Sequence, residues 1–372
     1  GAPRASIAMG RGDYDQAQRI LGGCFTLQVA ISLVLTAVLL IWNRPLLLAF
    51  GASGNTIEYA AQYMGVYALG TLFVELTLGL NAFITAQGFA QVGMKTVLIG
   101  AVANILLDPL FIFVLDMGVR GAALATVLSQ AVSCVWVVTF LRGKQTLLRL
   151  EKASLPIRPR LILPCVALGA APFIMQASES VISVCFNASL LKYGGDIAVG
   201  AMTILSSVMQ FAMLPLQGIA QGAQPLISYH HGRGDARSAR TLLRYSLLSV
   251  AVLSAAVFAG SLLGAEGIVS LFLGPDLPEL RAYSAGVFRI FSTSFLLVGY
   301  NVVLGGYFTD LERPGEALVI SACRSFLTMA AGLVIMIALL GGRGIWWAAT
   351  LSEAMTGVVS LALLWRWKRR GL

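Results

Sequence analysis

The chain has 372 residues, of which 58% are hydrophobic and 12% charged, with a mean hydropathy of +0.82. Soluble domains carry about 25% charged residues, so this composition excludes an ordinary soluble fold. Several runs exceed the roughly 20 apolar residues that cross a bilayer. The net charge of +9 sits in loops, which reads as membrane topology and not as nucleic-acid affinity.

In chain order, the apolar pattern predicts ten helical spans, at about 20–42, 60–87, 93–115, 119–141, 161–190, 198–229, 242–264, 282–309, 315–340 and 345–367. The strict alternation of membrane β-strands is not seen. Two short apolar runs, Leu46–Phe50 and Ile268–Leu273, are too short to span and read as interfacial turns. The cysteines (Cys24, Cys134, Cys165, Cys185, Cys323) all lie in apolar segments without ligand-like spacing, as small core residues do.

Polar residues inside spans are costly and mark either function or internal pairing. Glu75 lies deep in the second span. In the third, Asn104 and Asp108 share a helix face and Pro109 follows, so they either satisfy a backbone loosened by proline or bind an ion. Glu179 lies two-thirds through the fifth span, with Gln176, Ser180, Ser183 and Asn187 on its face. Charge is expensive at that depth, so Glu179 suits binding and release of H⁺ or Na⁺ in competition with a cationic substrate; the alternative is a structural glutamate. In the sixth span Thr203, Ser207, Gln210, Gln217, Gln221 and Gln224 form one stripe, and Pro215 invites a kink. That stripe either faces substrate or locks helices together. Met175, Met202, Met209 and Met213 lie close by, as adaptable thioethers do in a site that accepts many shapes. Arg289, Arg324 and Glu353 are intramembrane charges of the last three spans; a buried charge needs a partner, which an Arg324–Glu353 or Arg289–Glu353 pair supplies. His230 and His231 fall in a loop and read as solvated.

Lys and Arg divide unevenly between the two sets of loops. Of 26, the set containing the termini holds 19 and the opposite set 5; Arg289 and Arg324 lie within spans. This bias places both ends in the cytoplasm. The chain also repeats. Gly10-Arg11-Gly12-Asp13 and Gly232-Arg233-Gly234-Asp235 recur at an offset of 222, each before a span, and Gly65-Val66-Tyr67 parallels Gly286-Val287-Phe288. An even number of spans separates the copies, so the halves are a parallel repeat, a plan of secondary transporters. Within its own half the second GRGD is preceded by two spans (161–190 and 198–229) and the first by none, so a complete protein is expected to have 6+6 spans, of which this chain lacks the first two. The expected layout is an N-terminal lobe over 1–141 with four helices, a basic linker over 142–160, and a C-terminal lobe over 161–372 with six.

No intramembrane histidine, HExxH, GxSxG or Walker-type motif occurs. An enzyme, a cofactor other than a coupling ion, and a nucleic-acid partner are therefore not expected.

The segments LNAFITAQG (80–88), NILLDPLFIF (104–113), GVRGAALATVLSQ (118–130), PLQGIAQGAQPLIS (215–228) and the GRGD turns resemble the multidrug and toxic compound extrusion (MATE) family, in its MepA-like bacterial branch. The resemblance runs through the whole chain. It implies an all-α polytopic membrane protein, a two-lobed parallel-repeat transporter fold with ten of twelve helices present. It implies export of amphipathic, often cationic compounds, exchanged for H⁺ or Na⁺ by alternating access, through a monomer in the plasma membrane. The family has an acidic residue near the place of Glu179. The resemblance supports cation coupling at Glu179; the residue pattern adds Asp108, Asn104 and Glu75 as further coupling candidates, and substrate binding is expected at Gln176, Ser183, Asn187, Met202, Gln210, Met213, Gln217 and Gln221. A flippase of lipid-linked precursors is the alternative; it calls for a more cationic cavity than these residues supply.

Overall fold

A computed structural model describes residues 1–49, 56–273 and 277–369, apart from the side chains at 49, 178–188, 191, 194, 196, 199 and 368. Among these residues there is no strand. The helices are α1 (Ala2–Gly10), α2 (Tyr14–Ile41), α3 (Asn43–Ala49), α4 (Ile57–Leu69), α5 (Thr71–Ala86), α6 (Ala90–Pro109) and α7 (Gly118–Arg142). They are followed by α8 (Pro159–Gly232), α9 (Ala236–Phe272), α10 (Pro278–Phe291), α11 (Phe295–Asp310), α12 (Pro314–Ala322), α13 (Thr328–Leu340) and α14 (Gly344–Arg369).

The repeated GRGD is the same turn built twice. Gly12 and Gly234 both take φ of +79°, a left-handed conformation that glycine adopts without strain. The next residue caps a helix each time: Gln16 N–H donates to Asp13 Oδ1 at 2.9 Å and Ser238 N–H to Asp235 Oδ1 at 3.0 Å. The Asp13 and Asp235 N–H groups donate back to Ala8 and His230 carbonyls, both at 2.9 Å.

Eight stretches are long and apolar enough to cross a bilayer, and α4 with α5, bent by 53°, makes a ninth. One of the eight, Pro314–Trp367, contains two helices. Gly341 (φ +61°) turns the chain and α13 packs back along α14, which brings the described spans to the ten expected. The 74-residue α8 likewise holds two limbs, broken at Gly195 (φ +63°, ψ −161°). Pro215 introduces no break, because the only non-helical dihedrals within α8 are those of Gly195. The run at Ile268–Leu273 is not an interfacial turn but mostly the end of the 37-residue α9. Its counterpart is a separate short helix because Pro45 cannot donate to the Ile41 carbonyl, which ends α2 there.

Many large side chains on these helices face outward. On α6, Val97, Val102, Ile105 and Leu106 are all more than half exposed, a continuous apolar surface of the kind that meets lipid or another apolar helix. Trp42, Tyr245 and Trp365 are exposed near helix ends, where amphipathic rings sit at the membrane interface. The Arg369 guanidinium lies 3.6 Å from the Trp365 ring centroid.

The chain divides into two compact units: Gly1–Cys165 with Gly232–Gly234, and Val166–His231 with Asp235–Leu372. In the first, α5 packs on α2 and α7, and α6 on α7. Leu21, Leu80, Ile84 and Leu141 fill the centre. The segment after α7 docks on this unit: Leu148 N–H and the Thr146 hydroxyl both donate to Gln87 Oε1 (2.7 and 2.6 Å), and the Thr26 hydroxyl donates to the Leu155 carbonyl at 2.7 Å. In the second unit α14 is central, flanked by α10, α11 and α13. Phe288, Phe291, Phe295 and Trp346 form one core cluster there, and Leu216, Val298, Tyr307 and Leu311 another.

Candidate transport site

The second limb of α8 has two faces. Ala201, Leu205, Ala212 and Leu216 are buried in the core of the second unit. The polar stripe lies roughly opposite the core. Phe211 is exposed by 71% beside the polar stripe, and Leu214, exposed by 64%, lies within the stripe, four residues after Gln210 and three before Gln217. Gln210 and Gln221 are exposed, Gln217 and Gln224 half-buried, and the Ser207 hydroxyl donates to the Thr203 carbonyl at 3.1 Å. Met202, Met209 and Met213 lie between stripe and core, half-buried against the core clusters. Gln176, on the first limb, is exposed. Glu179, Ser183 and Asn187 lie outside the described residues.

In the first unit, Asn104 and Asp108 sit on α6 just before a π-helical turn at Leu110–Val114. Pro109 has no N–H to give the Ile105 carbonyl, and the ladder re-forms beyond it with the wider spacing. Asn104, Asp108 and Glu75 are all half-buried. Asn104 Nδ2 is buried with no hydrogen-bond partner, an unmet donor whose cost a bound group would relieve. Among the described residues no ion pair engages Glu75 or Asp108.

In the second unit Arg324, Glu353 and Asn301 form a buried polar network. Arg324 Nε donates to Glu353 Oε1 at 3.0 Å, with the two side chains 13% and 10% exposed. Asn301 Nδ2 donates to Glu353 Oε2 at 2.7 Å and to the Glu353 carbonyl at 2.8 Å. Arg324 Nη1 approaches Met175 Sδ at 3.6 Å. Arg324 lies on a second π-helical turn, Cys323–Leu327, and the Thr328 hydroxyl donates to the Cys323 carbonyl five residues back at 2.8 Å. That hydroxyl also lies 2.9 Å from Ser352 Oγ and from Thr356 Oγ1.

Arg289 is not part of this network and is not buried. Its side chain is 46% exposed and pairs with Glu266 at 3.1 Å, because α10 packs beside α9 and its Arg289 face reaches that helix. His230 is half-buried rather than solvated, with Nδ1 3.3 Å from Asp235 Oδ2. Sequence reasoning missed Asn301, Thr328, Ser352 and Thr356, since isolated hydroxyls and a single amide in apolar helices leave no periodic signal. It also missed Asp310, which closes α11 only 2% exposed. Cys24, Cys134 and Cys165 are buried and unbridged, and Cys323 is half-buried and unbridged. No cluster of metal-ligating side chains is found among the described residues.

A repeat of apolar helices, a polar stripe on α8 turned away from the core of its own unit and carboxylates within the spans define a polytopic membrane transporter. The family model described as MatE matches residues 1–110 and 172–334, and the chain belongs to that family of transporters. It is similar to the multidrug export protein MepA of Staphylococcus haemolyticus (strain JCSC1435), 25% identical over 371 residues that span this whole chain and 81% of the relative. It is also similar to MepA of Staphylococcus aureus (strain MSSA476), 24% identical over 97% of this chain and 79% of the relative. Among solved structures, a MATE in complex with MaL6 superposes with a TM-score of 0.92 at 21% identity, covering 99% of this chain and 82% of the other. A multidrug resistance MATE family transporter of the MOP superfamily, in an outward-facing conformation, gives 0.93 at the same identity and coverage.

Proposed function

We propose that this chain is a secondary active efflux antiporter, exporting amphipathic and often cationic compounds in exchange for H⁺ or Na⁺ by alternating access. The observation that carries the reading is the disposition of α8's second limb, whose glutamine stripe is turned away from the core of its own unit. Amides at membrane depth are stable only against other polar groups, water or a polar ligand. Gln210, Gln217 and Gln221 would contact substrate, Gln176, Ser183 and Asn187 would extend that surface, and Met202 and Met213 would adapt it to different shapes. Glu179 would carry the coupling ion, and Asn104, Asp108 and Glu75 would supply a second cation-binding cluster; the unmet donor of Asn104 and the uncommitted carboxylates support this. No cofactor is required. The loop charges orient both termini to the cytoplasm, and the protein is proposed to work as a monomer of the plasma membrane.

The flippase alternative needs buried cations for a diphosphate headgroup. Arg324 is committed to Glu353 and Arg289 is half-exposed on Glu266, which weighs against it.

The test is efflux of a fluorescent organic cation from vesicles under an imposed proton or Na⁺ gradient. Glu179→Gln is expected to insert and fold while losing gradient-driven efflux. Equal efflux by Glu179→Gln and the parent overturns the assignment of Glu179, and no efflux by the parent under either gradient overturns the antiport reading.

A further inference from the structure

A cleft of about 760 Å³ opens where the first unit's α2 and α8 begin, lined by Asp13, Asp15, Arg19, Ile157, Arg158 and Arg160 among others. Arg19, Arg158 and Arg160 are exposed, and among the described residues none of the three is joined to a carboxylate by an ion pair. The backbone fixes their positions. Leu161 and Ile162 N–H groups donate to the Arg158 carbonyl at 2.9 and 3.1 Å, which holds Arg158 and Arg160 at the start of α8. Asp13 Oδ1 is occupied by Gln16 N–H at 2.9 Å. Three guanidiniums against two carboxylates leave one net positive charge, which matches the single negative charge of a phosphodiester. Guanidiniums bind phosphate through paired N–H donors.

The positive-inside bias alone explains arginines in these loops but not their convergence on a cleft. The second copy of the turn does not repeat the arrangement. Thr241 stands where Arg19 does in the first, and Asp235 is held by His230 at 3.3 Å. The cleft also lies where the two helices enter the bilayer, and Ile157 and Leu163 beside it are exposed by 43% and 70%. A ligand with a phosphate head and an apolar tail satisfies both surfaces.

We infer that Arg19, Arg158 and Arg160 form a binding site for the phosphate of an anionic glycerophospholipid, through which lipid clamps the segment between the halves to the start of α2. The loop-charge orientation proposed above decides only which leaflet supplies the lipid.

The test uses the full chain, extracted from phosphatidylcholine vesicles with and without phosphatidylglycerol, and counts retained lipid by native mass spectrometry. The parent is expected to keep phosphatidylglycerol in preference to phosphatidylcholine. The triple variant Arg19→Gln/Arg158→Gln/Arg160→Gln is expected to lose about fivefold in affinity per arginine, roughly a hundredfold in all. A control triple of equal charge, Arg237→Gln/Arg244→Gln/Arg366→Gln, is expected to keep the lipid. Equal loss by both triples shows a diffuse field and overturns the site. Equal protection of the parent against heat by inorganic phosphate and by phosphatidylglycerol shows a soluble-anion site and overturns the lipid. Should the cleft triple fail to fold, Arg19→Gln alone, expected to weaken binding about fivefold, decides the matter by the same readings.

Discussion

Removing the carboxylate of Glu353 strands a guanidinium. In the native chain Arg324 Nε lies 3.0 Å from Glu353 Oε1 with both side chains nearly buried, and Asn301 Nδ2 occupies the second oxygen at 2.7 Å. Glu353→Leu leaves Arg324 without its counter-charge and Asn301 without one acceptor. A broken buried pair costs about 3–5 kcal/mol, and an unmet buried amide about 1–3 kcal/mol more. At roughly 2–4 °C per kcal/mol for a unit of this size, the thermal midpoint should fall by on the order of 10 °C. Arg324→Met alone should cost less, because Asn301 still donates to the remaining carboxylate. The double variant Arg324→Met/Glu353→Leu should recover much of the loss, since replacing a buried pair by apolar groups of similar volume is about neutral. Midpoints of the four proteins, measured in the same lipid, complete a double-mutant cycle. Additive single losses, with no recovery in the double variant, would show that the pair is not coupled and refute the reasoning.

If Asp108 carries a coupling cation as proposed, Asp108→Asn, which keeps the side chain's shape but removes its charge, should lower cation-driven efflux by about tenfold with expression unchanged; unaltered efflux would leave Asp108 as support for the proline-broken helix. A Cβ on Gly232 would overlap the Ile7 carbonyl. Helix propensity favours Gly232→Ala by about 1 kcal/mol, but a backbone clash costs about 1–3 kcal/mol, so thermal denaturation should show a net loss. Asp235 is held below the usual carboxylate range by the Ser238 hydroxyl and N–H, with a smaller contribution from His230. A lowered carboxylate contributes stability that is present above its unfolded value and lost as pH falls through the folded one. The stability advantage of the parent over Asp235→Asn should therefore persist at neutral pH, begin to fall near about pH 4 and be lost in stronger acid; an advantage unchanged throughout that acid range would contradict it.

Sequence by itself determined the membrane class, the spans, the repeat and the paired GRGD turns, because each is set by local chemistry. Apolar length fixes a span, period fixes a face, and a left-handed glycine followed by a capping aspartate fixes the same turn at Gly12-Asp13 and Gly234-Asp235. The glutamine stripe was legible for the same reason. Which partner each buried charge takes was decided only by tertiary structure. Arg289 and Arg324 look alike in the sequence, as single arginines in apolar helices. The packing of α10 beside α9 gives one to Glu266, and that of α13 and its π-helical turn against α14 gives the other to Glu353. Asn301 joins that pair across 52 residues, a distance no local pattern spans. The arginine cleft has the same origin, since Arg19 and Arg158 line one cleft only because the segment after α7 folds back on α2.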